Sequence, residues 1–503
     1  MEVEMNGSWL QKRSQHSPHK IAVIDGETGE RWNYKQLYDR SRVMAGRLLS
    51  AGIGIGDRVA LLSPNHIVYF DMLFACSEIG AIFVPLNWRM AEKEWNYIVR
   101  DCKAKCVVVH DEYLEESKQL ECQVFSLEEL ATKEIQWNSP PATRSNDPAA
   151  IIYTGGTTGL PKGVILTYEN ITFNAINTIV SWGLHGGDIT LTCLPMFHTG
   201  GLNALSTPIL MAGGTVVLMK NFDAEKAMNL LNLYRCTITL MVPTMYGMLI
   251  EHPQFQSTDF PTMRTFLSGG APCPLEIYEA FYKKGKLFKE GYGLTEAGPN
   301  NFYIDPNEAY GKKGSVGKAM LFNEVKLMIN DSLEAAEGEV GEIYIRGSHV
   351  FSEYWGKEEE TKKAKCEEWL RTGDLGRRDE DGYFYIVGRT KDMIISGGEN
   401  IYPLEVEQTL CQHEAVKEAC VIGVPHPVWG EAVIAIVSNK KQTSEKELLT
   451  FCKRRIGIYK IPKKIIFVPE LPKTAVGKLD KKELQDSFRG LFTQKENKEE
   501  HIK

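Results

Sequence analysis

Ten consecutive residues, Thr154-Gly155-Gly156-Thr157-Thr158-Gly159-Leu160-Pro161-Lys162-Gly163, contain four glycines, three threonines and one lysine. Such a segment cannot build a core. It can wrap an anion: glycines let backbone N–H groups turn toward one point, threonine hydroxyls add donors, and Lys162 adds a mobile positive charge. A polyphosphate suits that chemistry. The common nucleotide loop has Gly, four residues, then Gly-Lys-Ser/Thr. Here Pro161 precedes the lysine and Gly163-Val164 follow it, so the loop is of another kind.

The elements that must position this loop follow from periodicity. The apolar run Ala149–Tyr153 reads as a buried strand leading into it. Upstream, Ile21–Asp25 and Glu30–Tyr34 read as a hairpin around Gly26–Gly29. Helical spacing follows over 34–49 and 66–80, with a turn into a buried strand over 56–63 and strands at 81–85, 106–109 and 124–125. Downstream strands are expected at 189–194, 215–218, 237–242, 265–267 and 286–289, and several of them end in glycine-rich loops. Strand–helix alternation predicts an α/β fold, with parallel sheets covered by helices and ligands held outside the carboxyl ends of the strands. From about residue 314 shorter β segments predict a small barrel-like subdomain. A compact α+β unit follows Arg389-Thr390-Lys391-Asp392, with a helix from Pro403, strands at 418–423 and 432–437, and a helix from Ser444.

With 503 residues, more than one domain is expected. A net charge of −7 argues against a large nucleic-acid footprint. Eleven cysteines without paired spacing, an acidic N-terminus and no apolar run of spanning length suggest reduced thiols in a cytoplasm and no transmembrane segment. Peripheral membrane contact and a homodimer remain compatible with this composition.

Five motifs in order carry a resemblance. They are Tyr153–Gly163, Tyr292-Gly293-Leu294-Thr295-Glu296, Arg371-Thr372-Gly373-Asp374, Gly388-Arg389-Thr390-Lys391-Asp392 and Pro472-Lys473-Thr474-Ala475-Val476-Gly477-Lys478. In this series the chain resembles the adenylate-forming superfamily of acyl-CoA synthetases, firefly-type luciferases and adenylation domains, over nearly its whole length. The resemblance implies ATP, Mg²⁺ and coenzyme A, and a carboxylic acid activated as its adenylate before thioester formation. It implies a large domain over 1–388, a hinge over 389–391 at Lys391, and a small mobile domain over 392–503.

By the same resemblance, Thr154, Gly155, Gly156, Thr157, Thr158, Gly159 and Lys162 meet the phosphates. Glu296 with Thr158 holds Mg²⁺, and Thr295 touches the α-phosphate. Tyr292, flanked by Gly291 and Gly293, stacks on adenine opposite Gly270-Ala271-Pro272. Asp374 and Arg389 bind ribose, Gly397 and Gly398 admit the pantetheine arm, and Lys478 bridges the acid's carboxylate and the α-phosphate. Gly155 departs from the family, which usually has serine there.

The acid is read from fewer residues. Phe197-His198 stands where amino-acid-activating relatives have Phe-Asp, so no fixed negative charge awaits an α-ammonium group. His198 is a candidate catalytic or gating residue and, with Thr199, Gly201 and Gly269, a candidate for the acyl pocket. The small residues there favour a medium- or long-chain fatty acid, with an aryl acid as the alternative. No carrier-protein segment follows Lys478, so free CoA is expected ahead of a tethered carrier.

Overall fold

The computed structural model describes residues 9–135, 143–155, 160–473 and 479–492. Of the residues singled out above, Gly156, Thr157, Thr158, Gly159 and Lys478 lie outside these ranges.

The chain divides into two compact units, one of residues 1–326 and 344–372, the other of 327–343 and 373–503. Residues 327–343 and 373–388, which the sequence reading places in the large domain, group with the second unit.

The first unit holds two largely parallel sheets. One has six strands in the order Gln123–Ser126, Cys106–Val109, Arg58–Leu62, Ile82–Leu86, Pro148–Thr154 and Lys162–Thr167, all parallel except the last pair. The other has seven: Phe288–Glu290, Thr265–Ser268, Ile238–Met241, Ile189–Thr192, Thr215–Leu218, Ile21–Asp25 and the antiparallel Arg31–Asn33. The predicted alternation is therefore present.

Helix ends obey local chemistry. The helix Tyr34–Ser50 starts at a capping box between Asn33 and Gln36. The helix Val68–Ile79 stops at Gly80, whose φ of 71° is left-handed. Strand interiors are apolar on both faces, as for Val107, Val108 and Val109, because helices cover both sides.

The seven-stranded sheet packs on an aromatic core in which Tyr246, Phe255, Phe260, Phe266, Phe281 and Phe288 meet ring to ring. The amino ends of its strands are stitched by Asp188, a fully buried carboxylate. It accepts from Arg264 Nη2 at 2.6 Å and Thr237 Oγ1 at 2.7 Å, and from His185 N at 2.9 Å. Buried charge is tolerable only with such partners. The carboxyl ends are left for loops.

In the second unit the long antiparallel pair Val416–His426 and Gly430–Asn439 forms the spine of a five-stranded sheet. Lys464–Phe467 adds in parallel, and the hairpin Ile394–Ser396 with Glu399–Ile401 pairs at Ser396–Gly430. The helices Pro403–Cys411 and Glu445–Lys453 bury Leu410 and Leu448 against it. Both begin where expected, the second with Ser444 as its cap.

Candidate active site

The glycine-rich segment closes an antiparallel hairpin. Tyr153 faces Gly163 and Thr154 faces Lys162, so the two ends of the loop stand side by side. Gly163 answers to packing: a Cβ there would lie 2.7 Å from Ile151 Cγ2. Gly155 does not, since among the described residues nothing lies within 4 Å of the Cβ it lacks. Lys162 Nζ sits 5.4 Å from the centre of the Tyr354 ring, within cation–π range.

Glu296 lies in a short 3₁₀ turn, Thr295–Ala297, after the edge strand Phe288–Glu290. Backbone bonds continue past the strand ends: Gly269 N donates to Met241 O at 3.3 Å and Gly291 N to Ser268 O at 2.8 Å. The Gly269-Gly270 and Gly291–Gly293 segments are thereby held alongside one another. Gly293 admits no side chain, because a Cβ would fall 2.1 Å from Pro299 O. Tyr292 is half-buried, edge-on to Phe302 at 5.7 Å. Gly270, at φ +81°, is exposed with Ala271 and Pro272. Thr295 is buried and Glu296 half-buried.

Three residues that sequence reading missed hold this loop. Tyr354 OH donates to Glu296 Oε1 at 2.8 Å. Asn301 N donates to Tyr292 O at 3.1 Å and Asn301 Nδ2 to Gly298 O at 3.0 Å, while Asn301 Oδ1 meets His349 Nε2 at 2.9 Å. Burial pushes the His349 imidazole down to about 4, so it is neutral near pH 7. The chain neighbours of His349, Ser348 and Val350, accept from Asn170 Nδ2 through their carbonyls, and no spacing rule in the sequence points to any of these residues.

His198 caps the short helix Thr199–Leu202. Its ring is 4.5 Å from Phe197, which meets the edge of Trp88 at 6.4 Å, and Trp88 in turn lies 6.2 Å from Tyr113. This aromatic wall stands beyond the carboxyl ends of strands from both sheets. Asn65, nearly buried, ties the sheets together there: Asn65 Nδ2 donates to Leu194 O at 2.9 Å and Met219 O at 3.1 Å, and its Oδ1 accepts from Met196 N at 2.8 Å. Thr199 is buried, its hydroxyl accepting from Asn203 Nδ2 at 3.3 Å. Gly201 is a close-approach glycine, since a Cβ would meet Pro195 O at 2.3 Å.

In the second unit, Asp374 and Arg389 face each other on antiparallel strands and form an ion pair of 3.0 Å. Lys391 is exposed in the 3₁₀ turn Thr390–Asp392. Gly397 and Gly398, at φ +61° and +86°, make the two-residue turn between paired residues Ser396 and Glu399. A two-residue hairpin turn of type I′ needs positive φ at both central positions, which accounts for the glycine pair locally.

The first-unit groups suit a nucleotide triphosphate with its cation. Among the described residues no group of three His, Cys, Asp or Glu side chains could hold a metal alone. A cation taken by Glu296 would then fill its sphere with phosphate and water oxygens, as Mg²⁺ prefers. Bound there, Mg²⁺ would neutralise phosphate charge. Among the described residues no helix is long and apolar enough to cross a membrane.

Comparison with known proteins agrees. The family profile of AMP-binding enzymes matches residues 10–355, and that of the AMP-binding enzyme C-terminal domain matches 405–478. The chain is 38% identical to a feruloyl-CoA synthase of Amycolatopsis, covering 96% of this chain and 99% of that one. It is 34% identical to the long-chain-fatty-acid–CoA ligase FadD13 of Mycobacterium tuberculosis, over 96% and 98%. The structure of o-succinylbenzoate CoA synthetase from Bacillus subtilis, in complex with its acyl-adenylate, superposes with a TM-score of 0.89 at 32% identity, over 96% and 99%. The hairpin loop, the Glu296 turn and the end-to-end match together place this chain in the adenylate-forming superfamily, as an AMP-forming acid–CoA ligase.

Proposed function

We propose that this ligase activates an acid bearing an aromatic ring. A carboxylate oxygen attacks the α-phosphorus of ATP, pyrophosphate leaves, and the thiol of CoA then attacks the acyl-adenylate and releases AMP. Lys162 and the Thr154–Gly159 loop are assigned to the phosphates, Glu296 with Thr158 to Mg²⁺, and Thr295 to the α-phosphate. Tyr292 with Gly270-Ala271-Pro272 takes adenine, and Asp374 and Arg389 take ribose. Lys478 brings positive charge to the pentavalent phosphorus. Lys391 is the hinge between 1–388 and 392–503, and Gly397-Gly398 borders the path of CoA.

The observation that carries the aromatic preference is the cluster of Trp88, Phe197 and His198, in which Phe197 is buried and the half-buried rings of Trp88 and His198 pack against it; such rings suit a flat substrate. Relatives named for feruloyl-CoA, indoleacetate and 2-succinylbenzoate support it. A medium- or long-chain fatty acid is the second reading, favoured by the 34% identity to FadD13 and by Gly200, where added bulk would meet only Leu194, at 3.8 Å.

The test is thioester formation with CoA across C2 to C18 acids and benzoate- and cinnamate-type acids. The highest kcat/KM is expected for an aromatic acid. A maximum on a C8–C18 fatty acid would replace this preference with the second reading.

A further inference from the structure

One five-residue segment joins the glycine-loop hairpin to the Glu296 turn. Residues 352–355 run along the strand that leaves the loop: Ile165 N donates to Glu353 O at 3.0 Å, Ser352 N to Ile165 O at 3.2 Å, and Trp355 N to Gly163 O at 2.8 Å. Val164 and Tyr354 form the bridge between them. At the other end Phe351 N donates to Glu296 O at 2.7 Å. Tyr354 is thus placed by its own backbone, and further by the Thr361 hydroxyl, which accepts from Tyr354 N at 2.9 Å. From that position its phenol reaches Glu296 Oε1 at 2.8 Å and its ring lies 5.4 Å from Lys162 Nζ.

We propose that Tyr354 is a positioning residue for both charged groups: its hydroxyl orients the Glu296 carboxylate for the cation, and its ring seats the Lys162 ammonium for the phosphates. The proposal rests on the roles given above to Glu296 and Lys162. A glutamate turns about three side-chain bonds and a lysine about four, so each loses freedom when it engages a ligand. Tyr354 takes up part of that loss before the nucleotide arrives, which is preorganisation.

The experiment is calorimetric titration of ATP at a series of Mg²⁺ concentrations, on wild type, Tyr354→Phe and Tyr354→Leu. The phenylalanine variant keeps the ring and loses the hydroxyl. Its Mg²⁺ requirement for half-maximal ATP binding should rise roughly tenfold, in keeping with a hydrogen bond to a charged acceptor. Its affinity at saturating Mg²⁺ and its Tm should match wild type. The leucine variant should also bind ATP more weakly at saturating Mg²⁺. Adding Tyr354→Phe to Glu296→Gln should shift nothing further. An unchanged Mg²⁺ requirement in Tyr354→Phe, or additive losses in the double variant, would overturn the proposal. Absence of Mg²⁺-dependent ATP binding by wild type would instead remove the reading of the site, and the proposal with it.

Discussion

Arg389 Nε lies 3.0 Å from Asp374 Oδ1, on residues directly opposed in neighbouring antiparallel strands. The carboxylate is nearly buried while the guanidinium side chain is half exposed. The pair acts as a prearranged polar edge: the arginine orients the carboxylate that the proposed function assigns to ribose. Arg389→Met should raise the KM for ATP roughly tenfold, the worth of one bond to a charged acceptor. Asp374→Ala should cost more. The double variant should lose less than the sum, because the two act as one unit. Steady-state kinetics in ATP checks this, and fully additive losses would separate the pair.

Lys478 is assigned to the first half-reaction only. In Lys478→Ala, acid-dependent pyrophosphate exchange should fall by a factor of 100 or more, on the order of one well-placed electrostatic contact in a transition state. Thioester formation from supplied acyl-adenylate should continue near the wild-type rate. Equal loss of both half-reactions in a folded variant would contradict the assignment.

Among the described residues nothing crowds the position where Gly155 replaces the family's usual serine, and its φ lies outside the left-handed region. Gly155→Ser should leave Tm unchanged and tighten ATP binding by about 1 kcal/mol, the net value of one added hydroxyl donor. Calorimetric titration of both proteins decides it. A lower Tm, or weaker binding, would mean that this loop needs glycine's freedom in its liganded form.

Two adjacent glycines in the short helix after His198 should respond differently. Gly201→Ala forces a methyl against Pro195 O and Leu194 O and should lower stability by roughly 2–4 kcal/mol, as overpacking against rigid backbone does. Gly200→Ala meets only Leu194 Cδ1 at 3.8 Å and should leave Tm nearly unchanged, while narrowing acid selection if the residue borders the substrate. Thermal unfolding and the acid panel read the two effects separately.

Lys289 is a buried lysine without an assigned role. It is 2% exposed, with Nζ 4.4 Å from the Trp182 ring centre and 4.6 Å from that of Tyr303. Burial first, opposed by Asp305, lowers it to about 7. Between pH 7 and 10.5 the unfolded chain therefore holds a proton that the folded chain lacks, and stability rises with pH across that window. Lys289→Met should stabilise the protein by roughly 2–4 kcal/mol at pH 7, the lost desolvation penalty less a cation–π contact. The gain should shrink toward pH 10. A gain independent of pH would show that packing, not charge, is responsible.

Much of the architecture could be read from residue order. Runs such as Val107-Val108-Val109, followed by helical spacing, identify a covered parallel strand because both faces must be apolar. Asn33 with Gln36, and Ser444 before Glu445, mark helix starts through side-chain capping that acts within four residues. The division into units was less legible. Residues 327–343 pack with 373–503, an association set by contacts between distant segments.

The sequence by itself determined the α/β class and an anion-binding loop, because periodicity and closely spaced glycines, threonines and charges report local backbone demands and local charge; the superfamily and its adenylation chemistry came through the resemblance carried by the five motifs. Only the tertiary structure decided what holds those groups. Tyr354 reaches Glu296 across 58 positions, Asn301 reaches His349 across 48, and Asn65 reaches Leu194 across 129. Such bonds arise when sheets and loops pack, and a hydrogen bond between distant residues leaves no period or spacing in the chain to be read.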